Sequence, residues 1–181
     1  MTTQTLVPSG QKYYYWAPLL IRLVIGYGFI VHGWAKFHNG PAGFEKLLIQ
    51  IGAPLPGLTA WVVPSIEVLG GFMIFIGAFV RFVSVPLIGV MLVAIITVHW
   101  KYGFSSIKTI GLTPDGPIFG PPGYEVALLY IAGLISLILG GAGAVSVDLL
   151  IRSFTGSAAN NDRAHRTEEK GNTVRSQQEP E

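Results

Sequence analysis

The chain contains no cysteine. That excludes disulfide frameworks, thiolate metal sites, covalent c-type haem attachment and dithiol redox chemistry. Charge is scarce too. Only 12% of the 181 residues are Asp, Glu, Lys or Arg, about half of the roughly 25% usual in a soluble domain. The body of the chain is poorer still, because many of the charges follow Ile151. A net charge of +2 gives no case for nucleic acid. No metal-ligand cluster and no flavin, iron–sulfur or haem motif is legible. What is present is apolar. Half the residues are hydrophobic and the mean hydropathy is +0.52, the composition of a small polytopic membrane protein in contact with a lipid bilayer. The 23 glycines suit close helix packing in such a bundle.

Four segments have the roughly 20 apolar residues that a span needs: residues 17–38, 58–80, 82–100 and 124–144. Each must be helical, because lipid offers no partner to an unpaired backbone group. The predicted fold is therefore all-α, an integral membrane four-helix bundle. Pro64 and Pro86 lie inside spans two and three and are positioned to kink them. Between spans one and two, Phe44, Leu47, Leu48 and Ile51 follow i, i+3, i+4, i+7, which predicts a short amphipathic helix. Spans two and three join almost directly near Arg81, and the loop from Lys101 to Gly123, with TPDGPIFGPPG, reads as a series of turns.

Residues 1–16 read as an N-terminal interfacial segment rather than a signal peptide, with Tyr13 to Trp16 as an aromatic belt. Trp34, Trp61, Trp100, Tyr102 and Tyr124 form the belt at the other side, and Trp34 and Trp61 lie far enough inward to line a site. The membrane domain spans residues 17–152, and the polar tail of residues 153–181 is expected to be disordered. An even number of spans puts both termini on one side. A small excess of basic residues there favours cytoplasmic termini.

Ionisable residues inside a span are costly and mark function by default. Here they are Arg22, His32, Lys36, Glu67, Arg81, His99 and Glu125. On a helix, Arg22, His32 and Lys36 project within an arc of about 80°, shared with Gly26, Phe29 and Gly33. Arg22 and Lys36 are about 21 Å apart along the axis, too far for one small site. His32, Lys36, Glu67 and His99, with Lys101 and Glu125, fall in one half of the bilayer. Glu67 lies deepest, in VVPSIEVLGGFMIFIGAFV, and has either to stay protonated or to pair with His32 or Lys36. A purely structural bridge is the alternative to chemistry for that pair.

Three motifs carry a family resemblance. RLVIGYGFIVHGWAKF, PSIEVLGGFMIFIGAFVR and GYEVALLYIAGLISLILGGAGAVSVD resemble, in order, the first, second and last helix signatures of the DoxX family. The resemblance covers about Arg22 to Asp148. GGAGAVSVD departs from relatives that often have Pro after the first glycine pair. The resemblance implies a four-helix protein of bacterial or archaeal inner membranes. Some relatives are subunits of thiosulfate:quinone oxidoreductase, and others are membrane partners of redox proteins.

Two readings follow. In the first, the chain is the membrane subunit of a redox complex that binds a quinone or a small anionic sulfur substrate. His32, Lys36 and Glu67 then act on the ligand, by donating hydrogen bonds, relaying protons and stabilising a reduced oxyanion. Trp34, Trp61, His99, Glu125 and Arg22 supply the binding surroundings, and electrons come from a redox partner protein. In the second, the chain is a non-catalytic membrane anchor, assembly partner or small-solute carrier with a structural Glu–His or Glu–Lys bridge.

Overall fold

The computed structural model describes residues 15–154. Helix α1 spans Ala17–His38, α2 Pro41–Gln50, α3 Pro56–Ile76 and α4 Val80–Ala94. α4 runs on through a π-helical turn, Ile95–His99, and a tighter 3-10 turn, Trp100–Tyr102. A hairpin of β1, Thr109–Thr113, and β2, Gly116–Phe119, precedes α5, Glu125–Gly140. Residues 147–154 form a last helix, α6. The interfacial segment of residues 1–14, with Tyr13 and Tyr14, and the tail of residues 155–181 lie outside the described residues. The domain boundary expected after residue 152 falls inside α6.

Proline sets the helix starts. α1, α2 and α3 each carry Pro in the first two positions, where its missing N–H is no loss. Glycine sets the stops. Gly77 ends α3 at φ 74° and Gly141 ends α5 at φ 78°, a left-handed backbone that glycine adopts without a Cβ clash. The second stop shortens the expected fourth span over residues 124–144. α5 has 16 residues, about 24 Å, against a hydrocarbon core of about 30 Å. Ala17–His38, Pro56–Ile76 and Val80–Tyr102 are long and apolar enough to cross a membrane.

Short connections make consecutive long helices antiparallel neighbours. The most extensive interface is α1 on α3; α4 packs on α3 and α5, and α5 returns to α1. Ile25, Phe29, Ile74, Val80, Leu87, Leu134 and Leu137 form the core between them. The α1–α3 seam is close because it is glycine against glycine. A Cβ on Gly71 would lie 2.8 Å from the carbonyl oxygen of Gly26. α2 is the amphipathic helix expected before α3; it buries Leu48 and half-buries Phe44. The loop read as turns holds the antiparallel hairpin, pairing Leu112 with Pro117 and Gly111 with Ile118. Its strands are too short, and too interrupted by Gly and Pro, to show alternation in the sequence.

Candidate functional site

On α1, Arg22, Gly26, Phe29, Gly33 and Lys36 recur at four- and three-residue steps and face α3. Lys36 meets Glu67 there. Its ammonium donates to both carboxylate oxygens at 2.5 Å. Glu67 is 1% exposed and Lys36 27%, so the acid is sealed and the lysine reaches it from the rim. Gly33 makes the approach feasible: a Cβ there would lie 2.8 Å from the Pro64 carbonyl and 2.9 Å from Cβ of Glu67. Phe44 of α2 covers the pair, its ring centre 5.1 Å from the ammonium. Removed from water, a carboxylate with a bidentate ammonium is a satisfied pair with little left to offer a ligand.

His32 does not join it. The expected meeting of His32 with Glu67 is absent, and the reason is rotational. His32 sits about 80° round the helix from Arg22, toward the stripe of Ile21, Ile25 and Gly28 that faces α5. There its ring lies 6.2 Å from that of Tyr130, edge to face. Tyr130 also stands edge-on to Phe29 at 5.1 Å. Its hydroxyl is set into the gap over Gly28, where any Cβ would collide with it. His32 is exposed on the lateral surface and Tyr130 is half-buried. Among the described residues, neither the His32 ring nitrogens nor the Tyr130 hydroxyl has a hydrogen-bond partner.

The other expected members of the cluster are used separately. The Nδ1 of His99 lies 3.0 Å from the Pro122 carbonyl oxygen. Glu125 accepts the Ser106 N–H at 3.0 Å, which pins the loop to the start of α5. Lys101 lies over the ring of Tyr102. Trp34 is exposed. Trp61 packs against Phe37 at 6.0 Å and edges an open apolar groove of about 500 Å³ between α3 and α4, with Ser65, Leu69, Met73 and Pro86. Trp100 stacks on Tyr124 at 5.4 Å, as an aromatic belt would.

Arg22 lies at the opposite end and is spent on the chain itself. It is 1% exposed and donates from Nη1 to the Ala142 carbonyl at 2.5 Å and from Nη2 to that of Val145 at 2.8 Å. Gly77 leaves the space it crosses, since a Cβ there would overlap the guanidinium. Asp148 completes the tie. Its carboxylate accepts the N–H groups of Phe79 at 2.7 Å and Val80 at 3.2 Å, capping α4, and its own N–H donates to the Gly77 carbonyl at 2.9 Å. Arg81 is exposed beside this knot.

Two residues escaped the sequence reading. Tyr130 was legible as a polar tip inside an apolar span. Asp148 was legible as an ionisable residue just past the last one.

Residues 17–100 match the DoxX family. They cover α1 to the turn that ends α4, and so hold Arg22, Lys36, Glu67 and Gly77 together. Over that stretch, just under half of the chain, the sequence is similar to DoxX proteins. A Bacillus subtilis (strain 168) protein named "Putative oxidoreductase CatD" is 40% identical over 86 residues, 48% of this chain. That match spans 62% of the relative's length. A Haemophilus influenzae protein described as "Uncharacterized protein" is 29% identical over 140 residues, 76% of this chain and 92% of its own. No solved structure matches the chain. The DoxX match ends before α5, so Tyr130 and Asp148 lie beyond it.

Proposed function

We propose that this DoxX-like protein is the membrane subunit of a redox system, and that it receives the head group of a lipid-soluble quinone on the α1–α5 face. One observation carries the reading: His32 and Tyr130 are adjacent polar groups on the lateral face with no internal hydrogen bond. A polar group inside the bilayer without a partner is costly. A quinone carbonyl accepts from a phenol hydroxyl and from an imidazole N–H, so it satisfies both. Hydrogen bonds to a reduced quinone oxygen strengthen as negative charge develops on it. The electrons come from a partner protein. The name of the B. subtilis relative, "Putative oxidoreductase CatD", supports the redox part of the reading. Lys36 and Glu67 then serve the scaffold. In this reading the basic residues at the Arg22 end favour the cytoplasmic side of the inner membrane for that end.

A ubiquinone or menaquinone titration of the detergent-purified protein, followed by tryptophan quenching, tests it. Saturable binding should be lost or weakened about tenfold in Tyr130→Phe and His32→Ala. It should persist in the double variant Lys36→Met/Glu67→Leu. Absence of saturable binding by the intact protein would leave the chain as a non-catalytic membrane module built on the Lys36–Glu67 bridge.

A further inference from the structure

A hairpin of two short strands is marginal on its own and needs a third strand or a helix behind it. β1 and β2 lack that support. They contact each other far more than any helix, and Ile110, Leu112, Ile118 and Phe119 are all exposed. Neither the redox reading nor the Arg22 knot uses them.

The two outer edges of the hairpin differ. Leu112 stands opposite Pro117. Proline has no N–H to exchange, so theirs is the non-hydrogen-bonded kind of pair, in which the backbone groups of both residues turn outward. On β2 that leaves Pro117 with a carbonyl and no donor, a blunted edge. On β1 it leaves Leu112 with both an N–H and a C=O turned outward. Leu112 is 82% exposed, and outside the hairpin its backbone makes no hydrogen bond to the described residues. β1 is therefore an edge open to another strand.

Charge says which strand fits. Lys108 precedes β1 and Asp115 follows it in the turn, with no charged residue between them. Neither makes an ion pair among the described residues. A second β1 running antiparallel, with Leu112 opposite Leu112, brings each Lys108 beside the Asp115 of the other copy. Two copies inserted the same way also carry the hairpin on the same side of the bilayer. We propose that β1 is the contact of a homodimer, in which two hairpins join edge to edge as one four-stranded antiparallel sheet. The two-fold axis passes through the Leu112 pair, as in any self-complementary interface. Each Leu112 N–H donates to the Leu112 carbonyl of the other copy, and Lys108 and Asp115 pair twice across the axis. The contact uses neither His32 nor Tyr130, and it gives each hairpin the third strand it lacks.

The chain has no cysteine, so a single introduced thiol can cross-link only two copies. In the joined sheet the two Leu112 Cα atoms lie about 5.5 Å apart, within disulfide reach. The two Ile118 Cα atoms, on the outer strands, lie at least about 14 Å apart, beyond it. Oxidation of the full chain in native membranes should give a disulfide dimer for Leu112→Cys and little for Ile118→Cys. In the Leu112→Cys background, Lys108→Glu or Asp115→Lys should lower cross-linking about fivefold, and the two together should restore it. That rescue separates the ion pairs from misfolding of either single variant. Equal cross-linking at the two positions overturns the proposal, as does cross-linking unchanged by either charge reversal. So does a monomer by light scattering in mild detergent with no cross-link in membranes, which would leave the β1 edge to a strand of another protein.

Discussion

Gly26 of α1 and Gly71 of α3 meet backbone to backbone. A Cβ on Gly26 would lie 2.7 Å from the Gly71 carbonyl oxygen, and one on Gly71 would lie 2.8 Å from that of Gly26. The obstructing atoms are main chain, so no side chain can turn aside. This reciprocal contact brings the helices close enough for Lys36 to reach Glu67.

Gly71→Ala should therefore destabilise the bundle by about 1–3 kcal/mol, the range for overpacking a close interface. Gly89, also within a helix but with open space around its Cα, is the control. Gly89→Ala should be neutral or stabilising by up to about 1 kcal/mol, through helix propensity. Thermal unfolding in detergent checks both, and equal effects would refute the packing account.

Removing one partner of the buried ion pair should cost more than removing both. Lys36→Met leaves Glu67 sealed without a counter-charge, at a cost of about 3–5 kcal/mol. Lys36→Met/Glu67→Leu should recover most of that, because neither charge remains to be solvated. A double-mutant cycle on denaturant unfolding in mixed micelles reads the coupling. Additive losses would mean that the pair does not act as a unit.

Phe79 is a non-glycine residue at φ 49°, held where Asp148 caps the start of α4. Phe79→Gly should stabilise the turn by up to about 1 kcal/mol by relieving left-handed strain, with little lost packing because the ring is largely exposed. Asp148→Ala should destabilise by about 0.5–2 kcal/mol as a lost cap, and further through the Arg22 charge it faces. Melting curves of the two variants should move in opposite directions.

Much of the fold was legible along the chain. Hydropathy located the helices, and the i, i+3, i+4, i+7 pattern of Phe44 to Ile51 identified α2. The length of α5 was less so. Apolar residues continue past Gly140, and only the positive φ of Gly141 and Gly143 shows that the helix has stopped. The hairpin was illegible because glycine and proline break its alternation. For the candidate site, helix periodicity put Arg22, His32 and Lys36 within one arc. An arc of about 80° is wide enough to touch two neighbouring helices.

The sequence by itself determined that the chain is a bundle of apolar helices without thiol chemistry, and that Glu67 had either to stay protonated or to pair with a cation. Both follow from the cost of burying polar groups in hydrocarbon, which depends on residue type and span position alone. Only the tertiary structure decided that it pairs, and with which cation. The Gly26–Gly71 contact sets α3 against the Lys36 side of α1, and α5 takes the His32 side. Packing of small residues, not charge, chose the partner of Glu67 and left His32 facing Tyr130.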